Sequence, residues 1–193
     1  QKISAGWSLH DSNWFPDFPA SAEKAISFYE KTGGPTVDGV ITLTPTIMQK
    51  LLSVVGPIAM PQYGIIVDAD NFIPVLQEQV EVKYDKELNE PKKILSDLTQ
   101  MLIEKVFALQ NREMLGRIAG ALVDGLNEKH MLLYMRHSET QLLIDEVGWS
   151  GRVLDTPKDY LSIIHSNING YKTDGVINER IEHKASIEED GSI

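Results

Sequence analysis

Apolar residues recur along this chain with two periods, and the switches between them mark its elements. Ala22, Ala25, Ile26 and Tyr29 fall at i, i+3, i+4 and i+7, which predicts a helix over Ala20 to Lys31. Gly33-Gly34-Pro35 ends it. Val37 to Leu43 alternates around Gly39 and reads as a strand. Thr44-Pro45 then offers a hydroxyl cap and a proline at the first helical position. Ile47, Met48, Leu51, Leu52 and Val55 form the stripe of that second helix, and Gly56-Pro57 stops it.

Ile58 to Val67 reads as a two-stranded ribbon turning near Pro61-Gln62-Tyr63-Gly64. Asp68-Ala69-Asp70-Asn71 caps a helix predicted to run to about Tyr84, with Pro74 in its first turn. Pro91 opens a long helix over Lys92 to Gln110. Asn111 caps another, carrying Met114, Leu115, Ile118, Leu122, Val123 and Leu126. Gly116, Gly120 and Gly125 on that helix suit close packing better than a phosphate cradle.

Met131-Leu132-Leu133-Tyr134-Met135 is a continuous apolar run between helices, the pattern of a buried parallel strand. Ser138-x-x-Gln141 has the form of a capping box for a helix ending at Gly148. Tyr160 to Ile164 reads as a further strand and Thr173 to Asn178 as a short helix. Ile181, His183, Ala185 and Ile187 alternate, Glu188 to Gly191 reads as a turn, and Ser192-Ile193 as a return strand cut short. Strands alternating with helices predict a single layered α/β domain over residues 1–193, its mainly parallel or mixed sheet flanked by helices. Residues 179–193 would begin a truncated C-terminal β segment.

The charge balance narrows the partners. Eighteen Lys and Arg against 28 Asp and Glu give a net charge of −10, which repels nucleic acid and anionic membrane surfaces. Without cysteine there are no disulfides, thiolate metal sites or Cys nucleophile. No apolar run approaches the roughly 20 residues that cross a bilayer. The chain starts at Gln1, as a processed or trimmed fragment would, and a membrane anchor upstream is the expectation.

Candidate chemistry concentrates in the loop before the first helix, Leu9-His10-Asp11-Ser12-Asn13-Trp14-Phe15-Pro16-Asp17-Phe18-Pro19. Prolines exclude a regular interior, and an ordered polar loop is a common place for a site. Asp11, Asn13 and Asp17 are oxygen donors suited to Mg²⁺ or Ca²⁺. Equally, they suit Asx turns and a helix cap. Trp14, Phe15 and Phe18 are candidates to line a lipid or sugar groove, or to pack beneath the loop.

Asp68 and Asp70 lack the Gly and Glu of a calcium loop, so N-capping is the better account. Arg136 follows the 131–135 strand, where open α/β sheets place ligands. With His137 beside it, it can grip phosphate or carboxylate; its alternative is a surface ion pair with Glu139. Asn167 and Lys172 are candidates for the same site, against a turn role for the Asn-Ile-Asn-Gly segment. There is no paired-His zinc motif, nucleophile elbow, Walker loop or dinucleotide fingerprint.

The motif Asp11-Ser12-Asn13-Trp14-x-Pro16-Asp17-Phe18-Pro19 resembles the marker of the bacterial domain-of-unknown-function family 4012. Val37-Asp38-Gly39-Val40-Ile41 with Thr44-Pro45, Leu51-Leu52-x-x-x-Gly56-Pro57, and Asn167-x-x-Gly170-x-Lys172-x-Asp174 resemble further segments of it. His10 stands where the family often has Arg. The resemblance implies a membrane-anchored, extracytoplasmic envelope domain that binds a cell-wall polymer or an envelope protein.

The strand-helix unit over residues 37–58 is also similar in pattern to the LytR-CpsA-Psr fold. That second likeness implies the alternative of a phosphotransferase acting on polyprenyl-pyrophosphate-linked glycopolymer, with arginines and acidic residues holding pyrophosphate and Mg²⁺. No legible catalytic set accompanies it, which favours the binding module.

Overall fold

A computed structural model describes residues 6–81, 93–156, 160–164 and 177–184. The chain divides into two units, Gln1–Arg152 and Val153–Ile193.

In the first unit a 3₁₀ turn, Leu9–Trp14, leads into helix α1, Phe18–Lys31. Strand β1, Gly39–Leu43, helix α2, Pro45–Val55, and the ribbon β2, Ile58–Met60, with β3, Ile65–Val67, follow. Helices α3, Phe72–Glu81, α4, Lys93–Phe107, and α5, Arg112–Asn127, precede strand β4, Met131–Met135, and helix α6, Ser138–Glu146.

The main core forms where α2 meets the ribbon, α3, α4 and α5. Ile47, Leu52, Met60, Phe72 and Leu98 are almost wholly buried there. Each such side chain contributes about 1.5–3 kcal/mol by leaving water. The packing of α2 on α5 is close because Gly125 has no side chain: a Cβ there would stand 2.6 Å from Ile47 Cδ1. Gly116 and Gly120, on the same helix, face open space and play no such part. The end of α2 is closed by Gly56, at φ +79°, and by Lys105 Nζ, which donates to Pro57 O at 2.8 Å.

A smaller core joins Phe18, Ala22 and Ile26 of α1 to Tyr134 of β4. It lies on one face of the β1–β4 pair, with Val40 and Leu132 beside it. The mixed helix and strand content matches the expected α/β class, but the strand arrangement differs. Both sheets of the described residues are two-stranded and antiparallel. Strand β4 pairs with β1, Val40 opposite Tyr134 and Thr42 opposite Leu132. Its run of apolar residues, which suggested a parallel strand, arises because α1 contacts one face and α6 packs against the same strand.

The capping box expected at Ser138 is not formed. His137 occupies the N-cap without a side-chain cap bond, and Gln141 turns inward instead. Its Oε1 accepts from the Met135 N–H at 2.8 Å. A half-buried strand donor outcompetes an exposed helix end for that acceptor.

Of the second unit, residues 153–156, 160–164 and 177–184 are described, and they contain no helix or strand. The strand expected at Tyr160 to Ile164 is not formed, since it joins no ladder there. The helix expected at Thr173 to Asn178 lies mostly outside the described residues. So do the ends of the helices predicted near Tyr84 and Lys92, and the segment 185–193.

Candidate functional site: a braced loop and an apolar cleft

The loop before α1 is held by its own polar side chains. Asp11 Oδ2 accepts from Ser8 N–H at 3.2 Å and from Ser8 Oγ at 3.0 Å, while Asp11 N–H donates to Ser8 O at 2.9 Å. These reciprocal bonds close the 3₁₀ turn. Asn13 is exposed and sits at φ −93°, ψ 43°, where the turn kinks. Asp17 is the N-cap of α1 and accepts from Ala20 N–H at 3.3 Å. Ser21 Oγ ties the helix back to Phe15 O at 3.1 Å.

Asp11 and Asp17 join no cluster of three acidic or His side chains among the described residues. The aromatics divide: Phe18 is buried, whereas Trp14 and Phe15 are exposed. Trp7, not singled out in the sequence, meets Phe15 edge-on at 6.0 Å and stacks under Lys24 Nζ at 4.9 Å. Asp68 accepts from the backbone N–H groups of Asp70 and Asn71 at 3.0 and 2.8 Å, bracing the turn before α3 in place of the helix cap expected of Asp68 and Asp70.

Arg136 is placed at the C-terminal end of β4, but its guanidinium is engaged. Nη1 and Nη2 donate to Glu30 Oε1 and Oε2 at 2.8 and 3.1 Å. The fork raises the Arg136 pKa further. The partner is Glu30, at the far end of α1, and not Glu139. Asp17 and Glu30 stand 13 residues apart on that helix, about 20 Å at 1.5 Å per residue. The loop and Arg136 therefore occupy opposite ends of α1 and do not converge. Asn167 and Lys172 lie outside the described residues.

A different feature is assembled by β1, β4 and α6. A cleft of about 440 Å³ opens on the sheet face away from α1. Ile41, Leu133, Met135, Leu143, Val147 and Trp149 line it. Leu143 and Ile41 are 64% and 65% exposed, so the lining is accessible. One signal for it was present in the sequence: Leu142-Leu143-Ile144 puts three apolar residues in succession on a helix, and one helix face cannot bury all three. Here Ile144 is buried and the two leucines are not.

A polar network fixes the cleft wall. Gln141 Nε2 donates to Asp145 Oδ1 at 2.8 Å, and Arg152 Nε to Asp145 Oδ2 at 3.0 Å. Burial pushes the Asp145 carboxyl up, but hydrogen bonds with Ser150 and Gln141 and the charge of Arg152 outweigh it, leaving the pKa below its usual value. The network positions α6; no member of it lines a polar pocket.

Residues 1–80 match the model of a family of proteins of unknown function, DUF4012. The match spans the braced loop, α1, β1, α2 and the β2–β3 ribbon and ends within α3, and it supports the family suspected from the sequence. No curated protein and no solved structure matches the chain.

Proposed function

We propose that this chain, whose residues 1–80 match DUF4012, is a binding module of the bacterial cell envelope that receives an apolar surface of a protein partner. The observation that carries the reading is the cleft between the β1–β4 pair and α6. Its walls are aliphatic and aromatic carbon carried by β1, β4 and α6, with Thr140 as a polar side chain among them. A sugar polymer would need convergent donors and acceptors, which such a lining does not offer. A protein side chain such as Leu or Phe gains from it by desolvation alone. The placement outside the cytoplasmic membrane rests on the family resemblance. Among the described residues no helix is long and apolar enough to cross a membrane.

The engagement of Arg136 by Glu30, and of Asp11 by Ser8, argues against a pyrophosphate transferase built on those residues. A photoreactive amino acid at Leu143, compared with one at the exposed Phe107 of α4, outside the cleft lining, tests the binding reading in cells of the source organism. A discrete protein adduct formed only from position 143, and abolished by Val147→Asp, is expected. Adducts that ignore Val147→Asp would dissociate partner binding from the cleft. Calorimetric binding of a polyprenyl pyrophosphate with Mg²⁺, lost in Arg136→Ala, would favour the transferase instead.

A further inference from the structure

The β1–β4 pair has two outer edges, and the chain treats them differently. Along β4 the outward N–H of Leu133 donates to Trp149 O at 3.0 Å, and that of Met135 to the Gln141 side chain at 2.8 Å. That edge is covered. Arg136 N–H donates to Asp38 O at 2.8 Å and Thr44 N–H to His130 O at 2.9 Å. By the alternation of an antiparallel ladder, Val40 and Thr42 then face β4, and Gly39, Ile41 and Leu43 turn their N–H and C=O groups outward.

Those outward groups carry no hydrogen bond among the described residues. Proteins usually blunt such an edge with Lys, Pro or a bulge. Gly39–Leu43 has none of these, and its five residues pair with β4 in unbroken register.

We propose that a second copy of this chain pairs on this edge, β1 against β1, antiparallel about a twofold axis at Ile41. The outward residues are symmetric about that position. Ile41 then meets its own copy and Gly39 meets Leu43, so three hydrogen-bonded pairs form and the sheet runs β4-β1-β1-β4. The charges fit this register. Gly39–Leu43 is uncharged, and the flanking Asp38 falls opposite Thr44 of the second copy, away from its own copy. An edge of five residues buries less than the roughly 1,200 Å² of a stable interface, so the dimer is reversible and concentration-dependent.

Sedimentation of the purified 193-residue chain between about 1 and 200 μM at roughly 0.15 M salt tests it. The expected result is a shift from the 21.6 kDa monomer toward twice that mass. Ile41→Lys places two like charges on the axis and should hold the chain monomeric while its circular dichroism is unchanged. Val123→Lys, an exposed position on α5, should leave the dimer intact.

Ile41→Cys adds a register test in this cysteine-free chain. Opposed hydrogen-bonded residues have Cα atoms about 5.5 Å apart, within disulfide reach. Oxidation should therefore link Ile41→Cys dimers and leave Leu43→Cys, which faces Gly39, largely unlinked. A chain that stays monomeric throughout, a dimer indifferent to Ile41→Lys, or efficient linking only from position 43 would each overturn the proposal. No partner protein is present in this experiment, so its failure leaves the cleft reading to be judged separately.

Discussion

Arg136 and Glu30 lie 106 positions apart in the chain and meet as a two-pronged pair, with nitrogen-oxygen distances of 2.8 and 3.1 Å. The pair pins the last turn of α1 to the exit of β4, and Arg136 Nη1 reaches Val37 O as well. A residue whose position suggested a ligand thus serves to tie a helix to a sheet. Its planar fork satisfies both carboxylate oxygens, which a lysine could not do. Arg136→Lys and Arg136→Ala should both lower the urea midpoint slightly. In a double-mutant cycle with Glu30→Ala the losses should be less than additive; additive losses would show that the two side chains are not coupled.

Gln141 bridges Met135 N–H and Asp145, and it is buried. Replacing it with Leu keeps the volume but strands the strand donor. The expected cost is about 1–3 kcal/mol in chemical denaturation. A loss below a few tenths would mean that water or another acceptor already serves Met135.

Most of the local structure was legible because its signals are local. Thr44-Pro45 and Gly56-Pro57 bracket α2, observed at Pro45–Val55, and Asn111 caps α5 by accepting from Glu113 and Met114 N–H groups. Even there a tertiary contact intervenes: the Thr44 hydroxyl bonds His130 Nδ1, 86 residues away, and not its own helix. The direction of β4 was not legible. An apolar run reports burial on both faces, and burial says nothing about the partner strand. The candidate site failed to read for the same reason. Glu30 and Arg136 show no spacing relation, and the cleft is made by residues 41, 133 and 143, which only the β1–β4 register and the packing of α6 on β4 bring together.

Asp145 sets an acid limit on stability. Its folded pKa lies below the ordinary 3.8. A depressed carboxylate contributes stability that is present above the unfolded value and lost as pH falls through the folded value. Wild type should therefore lose this contribution progressively below about pH 4. Asp145→Asn should lack it at pH 7 and show a flatter decline in melting temperature between pH 5 and 3. Parallel curves for the two proteins would refute the assignment.

The two glycines Gly39 and Gly120 should respond oppositely to alanine. A Cβ at Gly39 would stand 2.2 Å from the Tyr134 carbonyl oxygen, a backbone atom that cannot swing aside. Gly39→Ala must then push β1 off β4, at a cost of about 2 kcal/mol or more. Gly120 faces open space in the middle of α5, so Gly120→Ala adds helix propensity without a clash and should stabilise by about 1 kcal/mol. Thermal melts of the two variants measure both signs at once, and a stabilising Gly39→Ala would show that the β1–β4 register is looser than described.

The loop motif yields the last prediction, because Asp11 can be tested as brace or ligand in one experiment. As a brace it needs an oxygen acceptor for Ser8 N–H and Oγ, which an amide also supplies. Asp11→Asn should therefore keep most of the stability, while Asp11→Ala should lose about 1 kcal/mol, the usual worth of such a cap. As a ligand for Mg²⁺ it needs the charge, and Asn would then fail with Ala. Thermal melts with and without millimolar Mg²⁺ separate the two. The expected pattern is a melting order of wild type, Asn, Ala that the ion does not change. A Mg²⁺-dependent stabilisation of wild type, absent in Asp11→Asn, would return the loop to the list of metal sites.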